Sequence, residues 1–126
     1  MGSLERHQSQ YRSFKAAADL TGTEPQARVE LLFLAAYHLI DACAAKKGQH
    51  INKHQLVRHE LERNPSIFGE RTDSVRKAFD ELQGTIRIKF VYSGRWKEED
   101  SREAERLFAL IESTCREVLS DEPAED

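Results

Sequence analysis

The sequence predicts an all-α fold: an antiparallel up-and-down bundle of four long helices plus one short helix. It fills residues 1–120 as a single domain and leaves an acidic C-terminal tail at 121–126. Three observations carry that expectation. Apolar residues recur at spacings of three and four along most of the chain, the period of an amphipathic helix. Breakers are few, six glycines and three prolines, and most fall between the periodic stretches. The 126 residues are one domain's worth, enough to bury a core without disulfides or a metal.

Leu4, His7, Tyr11, Phe14 and Ala18 form the first stripe. Thr21-Gly22-Thr23 ends that helix, with Gly22 suited to a left-handed C-terminal position. Thr23 is the expected cap of the second helix, and Pro25 sits in its first turn, where a missing N–H costs nothing. The second helix is expected from Glu24 to Lys47. Its middle, Val29 to Ala45, is apolar on nearly all sides, so it lies at the centre of a bundle or shares a face with another subunit. Leu32, Ala36, Leu39 and Cys43 should be nearly inaccessible, and Gly48 stops the helix.

Asn52 is the expected N-cap of a short helix from Lys53 to Glu62, with Leu56 and Leu61 inward. Asn64-Pro65 ends it, because the residue before a proline avoids the α region. Ile67 and Phe68 are expected to plug the core from the following connector. Thr72 or Asp73 should cap the third long helix, whose stripe is Val75, Phe79, Leu82, Ile86 and Phe90. Ile86, Ile88, Phe90 and Tyr92 also alternate as in a strand, but the helical spacing runs unbroken from Val75 and favours helix. Ser93-Gly94 terminates it. Ser101 or Asp100 should cap the last helix, whose apolar face is Leu107, Phe108, Ile111, Cys115, Val118 and Leu119.

Composition excludes several classes. The longest apolar run, Leu31 to Tyr37, is far short of the ~20 residues of a membrane span. No apolar stretch follows Met1 and Arg6 stands where a myristoylation signal needs Ser or Thr, so a cytoplasmic protein is expected, away from any membrane. Cys43 and Cys115 each lie in a helical apolar pattern and read as buried free thiols. Residues 1–97 carry 16 Lys/Arg against 11 Asp/Glu, whereas 98–126 carry 3 against 11. The mildly basic body suits local anion binding.

Several motifs are missing from the sequence. There is no phosphate-binding glycine loop, no C-x-x-C, no H-E-x-x-H and no G-x-S-x-G, which disfavours an ordinary hydrolase or a nucleotide-driven enzyme. His50 and His54 have the spacing of a helical metal pair, but the helix is expected to start after His50, so neither a metal nor a cofactor is expected. Arg87, Lys89, Arg95 and Lys97 surround Trp96, a combination suited to phosphate contact and base stacking; the alternative is a solvated helix end with Trp96 on the bundle rim. An ideal α-helix sets Arg87 and Tyr92 about 140° apart, within reach of one cleft between protomers. Tyr37 and His38 interrupt the apolar second helix, either as a buried hydrogen-bonded pair, with Asp41 as a local partner, or as the lining of a groove between subunits.

Three pieces together resemble the HEPN family of helical domains: Ala35-Ala36-Tyr37-His38-Leu39-Ile40-Asp41-Ala42, Asn52-Lys53-His54, and Phe79-x-x-Leu82 followed by Arg87-Ile88-Lys89-Phe90-Val91-Tyr92. The resemblance covers about residues 5–119. It implies a dimeric helical bundle, places His54 near a ligand-facing cleft, and makes a minimal nucleotidyltransferase the implied partner in a toxin–antitoxin-like pair. Nuclease members carry Arg, four to six residues, then His on one helix; here Tyr92 follows Arg87 instead. A phenol with a pKa near ~10 is poorly suited to moving the 2′-OH proton. The expected function is thus a homodimeric module binding a nucleotide or RNA-like anion, with Arg87, Tyr92, Trp96, Lys97, Lys53, His54, Tyr37 and His38 as candidate ligand-binding residues and none as catalytic. A metal-independent ribonuclease with a degenerate Arg/His motif, and a dimerisation protein without a ligand, are the alternatives.

Overall fold

The structure is a computed structural model and describes residues 2–20 and 23–120. The described residues are helical, with no strand among them: α1 (Gly2–Ala18), α2 (Pro25–Lys46), α3 (Val57–Arg63), α4 (Thr72–Glu81) and α5 (Glu98–Ser120). No helix among them is long and apolar enough to cross a membrane. The expectations for Thr21, Gly22 and the 121–126 tail fall outside the described residues.

The centre of the fold is α2, packed chiefly against α1 and α5. Leu32, Phe33, Ala36, Leu39, Ile40 and Cys43 are all buried within the single chain. Most of the apolar surface of α2 is therefore covered by its own neighbours, with Leu31, Leu34 and Tyr37 partly buried. Gly48, at φ 78°, ends α2 in the left-handed region, and the Gln49 N–H folds back onto the Ala44 carbonyl. That reversal returns His50 and Ile51 to the end of α2.

The stripe Val75, Phe79, Leu82, Ile86 and Phe90 is buried as its spacing requires. Beyond α4, however, the helix widens into two π-helical segments, Leu82–Ile86 and Ile88–Ser93, before Gly94 ends it at φ 69°. The Arg87 N–H donates to the Leu82 carbonyl, five residues back. Such widened turns are rare and often mark functional sites.

Local capping departs from expectation. The Thr23 hydroxyl donates to the Leu20 carbonyl, closing the preceding turn, and Glu24 takes the N-cap place of α2 without a side-chain bond. The Thr72 hydroxyl likewise donates to Gly69, and Arg71 precedes α4. The short helix opens with a 3₁₀ turn, His54–Leu56, whose N-cap is Lys53 rather than Asn52. That tight turn leaves Leu56 exposed, whereas Leu61, Ile67 and Phe68 are buried as expected. α5 begins at Glu98, ahead of both expected caps. Asp100 still serves its first turn, accepting the Lys97 N–H at 2.9 Å, the reach-back half of a capping box.

Candidate functional site

One face of α2 presents Glu30, Phe33 and Tyr37 at positions i, i+3 and i+7, a single helical stripe. The 3₁₀ turn brings His54 against it, and the π-widened helix brings Gln83 and Arg87. Phe33 is the hub. Its ring stacks on Phe79 at 5.6 Å, meets the His54 ring edge-on at 5.0 Å and lies 4.5 Å below the Arg87 guanidinium. His54 Nδ1 is 2.6 Å from Gln83 Oε1. Tyr37 stands 6.1 Å from the His54 ring and donates its hydroxyl to the Ile51 carbonyl at 3.1 Å. Burial, aided by Asp41, pushes the Tyr37 phenol up to about 12, so it stays a donor.

Arg87 is held on both sides. Glu30 accepts from its Nε at 2.7 Å and from Nη2 at 3.3 Å, and the Tyr92 ring lies 5.7 Å from the guanidinium carbon. The hydrogen bond to Glu30 raises the arginine's pKa further, so the charge is permanent. The 140° separation of Arg87 and Tyr92 does not hold. Two residues five apart diverge on an α-helix, but an i→i+5 helix brings them to one side. The pair assembles within one chain, with Tyr92 67% exposed at the surface.

The remaining candidates separate from this group. Trp96 stacks on Phe90 at 4.8 Å, the rim-packing arrangement, and one ring face is thereby covered. Lys89 pairs with Asp100 at 3.0 Å, while Arg95 and Lys97 are exposed on the turn before α5. The basic cluster is therefore dispersed: two of its four cations are engaged by carboxylates. Lys53 is exposed beside His54. Two open concavities of about 450 and 410 Å³ lie elsewhere, against α5, while on the Arg87 face the arginine side chain is 15% exposed and Tyr92 stands out at the surface.

Tyr37 and His38 do not share Asp41 as a local partner. His38 faces α1, with its Nδ1 2.9 Å from His7 Nδ1 and its ring stacked on Phe14 at 5.7 Å. Burial, with the neighbouring His7, pushes His38 down to about 4, so it is neutral at pH 7. Asp41 accepts the Ile51 N–H through Oδ1 at 3.2 Å, and its Oδ2 faces His7 Nε2 at 3.1 Å. Sequence spacing missed Glu30, Phe33 and Gln83 because they join Arg87 and His54 across helices. It also missed His7, Asp41 and His50 as a group. No family model, curated protein or solved structure matches this chain.

Proposed function

We propose that this protein is a HEPN-like binding module, its long helices forming an antiparallel up-and-down bundle, that binds a nucleotide or RNA-like anion on the face built around Arg87. The observation that carries the reading is the widened turn, which sets the Tyr92 ring 5.7 Å from a guanidinium already seated on Phe33. A fixed cation beside an exposed aromatic ring offers a phosphate contact and a stacking surface together. A ring that stands out at the surface suits an extended single strand better than a small enclosed ligand. Exposed Ile88 and Val91, beside Tyr92, add an apolar strip on the same segment. A twofold partner seated there would wall the site and complete a homodimer, and a minimal nucleotidyltransferase is the protein partner the resemblance implies. Light scattering is expected to give twice the mass of one chain at micromolar concentration.

Fluorescence anisotropy with labelled single-stranded RNA at low salt tests the ligand. Affinity should fall as salt rises, because phosphate contacts release counterions. Arg87→Ala should weaken binding by roughly one to two decades, the loss of a charge-assisted contact worth about 1.5–3 kcal/mol. Glu30→Gln should tighten it, because the competing carboxylate is neutralised. Absence of RNA or nucleotide binding at low salt sinks the reading.

A second reading has one observation in its favour: His54 and Arg87 flank the same Phe33 ring, at 5.0 and 4.5 Å. His54 would then supply the imidazole that position 92 lacks, in a metal-independent ribonuclease. RNA cleavage abolished by both Arg87→Ala and His54→Ala would establish it over the binding module.

A further inference from the structure

On the other side of α2 lies a group of side chains that the proposed ligand face does not use. His7 of α1, Asp41 of α2 and His50 of the returning loop place ligand atoms within 4.8 Å of one another. His7 is 7% exposed and Asp41 1%, whereas His50 is exposed. His7 Nε2 and Asp41 Oδ2 are 3.1 Å apart, yet neither has a hydrogen-bond partner among the described residues. They face each other as an ion pair without hydrogen-bond geometry, and a buried pair held so is costly unless a further group satisfies it. Both converge on one point from different helices.

We infer that His7, Asp41 and His50 bind one divalent transition cation of the zinc class. Two imidazoles and a carboxylate are borderline ligands that suit zinc and its neighbours rather than calcium or magnesium. With metal–ligand bonds of ~2.0–2.2 Å, adjacent ligand atoms of a tetrahedral ion lie ~3.3–3.5 Å apart. His7 and Asp41 already stand near that separation. His50, on an exposed loop, closes the remainder by a small swing, and its side leaves a fourth position open to water. The surroundings match an outer shell. His7 Nδ1 meets His38 Nδ1 at 2.9 Å, and Asp41 Oδ1 is oriented by the Ile51 N–H, so the facing Nε2 and Oδ2 are the atoms left for a cation. Gly48 makes the reversal that delivers His50 and Ile51 together. The nearby positive group is Arg6, which is exposed and lowers affinity without occupying the site. A bound ion would clip α1 to the end of α2.

Cobalt(II) and zinc(II) titration of the intact chain tests this. One cobalt per chain should bind with the intense visible absorption of a four-coordinate ion, and zinc should displace it. Zinc should also raise the melting temperature by roughly 5–10 °C at concentrations well above its Kd. His50→Ala removes an exposed loop ligand and should leave the fold intact while weakening zinc at least tenfold and cutting the thermal shift at the same zinc concentration to about half or less. His59→Ala, an exposed histidine on α3, should change neither. Asp41→Asn should weaken binding similarly, and its folding can be checked by far-UV circular dichroism. Absence of zinc binding up to millimolar concentration, a six-coordinate cobalt spectrum, or unchanged affinity in His50→Ala would overturn the site and leave a buried His7–Asp41 ion pair only.

Discussion

Phe33→Ala is expected to destabilise the protein by about 3–5 kcal/mol, the range for deleting a fully buried aromatic ring from a close-packed core. For a chain of this length that is a fall of roughly 10–20 °C in melting temperature, read by calorimetry or circular dichroism. The ring is 0% exposed and touches three elements at once: Phe79 of α4, His54 of the 3₁₀ turn and Arg87 of the π-widened helix. Truncation therefore opens a cavity and removes the seat of two candidate site residues. Phe33→Leu separates these effects. It keeps most of the apolar volume, at a cost of roughly 1–1.5 kcal/mol. It loses the aromatic face under the guanidinium, a contact worth about 0.5–2 kcal/mol. The leucine variant should fold and yet bind RNA more weakly than the parent. Equal stability in Phe33→Ala and the parent would mean that the ring is not buried as described.

The same ring shows what the sequence reveals and what it hides. Its burial was legible, because Phe33 lies in a stretch apolar on every side. Its role as a hub was not, because the residues it joins lie about 20 and 50 positions along the chain. Periodicity reports which face of a helix is buried, and it placed Val75, Phe79, Leu82, Ile86 and Phe90 correctly. It does not report the helix type. Steps of four from Leu82 to Ile86 to Phe90 are compatible with an α-helix, so the widening left no trace in the stripe, and the Arg87–Tyr92 geometry was misjudged with it.

Caps failed for a related reason. Thr23 and Thr72 each have two places to send a hydroxyl, forward to a helix N–H or back to a carbonyl, and both went back. Arg87 stands out in the sequence as one cation of the cluster around Trp96, but nothing near it in sequence announces Glu30. The separation of His50 from His54 was legible, because the helix was expected to start after His50, and the 3₁₀ turn does begin at His54. His50 and His54 are four apart, yet the turn at Gly48 directs His50 toward α1 and the 3₁₀ turn directs His54 toward Phe33.

The largest expected effect concerns the two thiols. Cys43 and Cys115 are both 0% exposed, on α2 and α5, and the Cys43 thiol donates to the Cys115 carbonyl at 3.5 Å. Burial, reinforced by Cys43, pushes the Cys115 thiol well above its usual range. Only the thiolate attacks a disulfide reagent, so access and ionisation are suppressed together. Ellman's reagent should titrate two thiols at once in denaturant, and the folded protein should react at least a thousandfold more slowly, since a domain stable by about 5–15 kcal/mol is open in well under one molecule in a thousand. Under those conditions the labelling rate follows the population of the open form. Phe33→Ala should therefore accelerate labelling by roughly 10²- to 4 × 10³-fold, its stability loss of about 3–5 kcal/mol converted at about 1.4 kcal/mol per decade. His50→Ala, changed only on the surface loop, should leave that rate within a few-fold of the parent. If one thiol of the parent reacted within seconds while circular dichroism stayed native, the contact between α2 and α5 would be open rather than packed, and the central position assigned to α2 would fall with it.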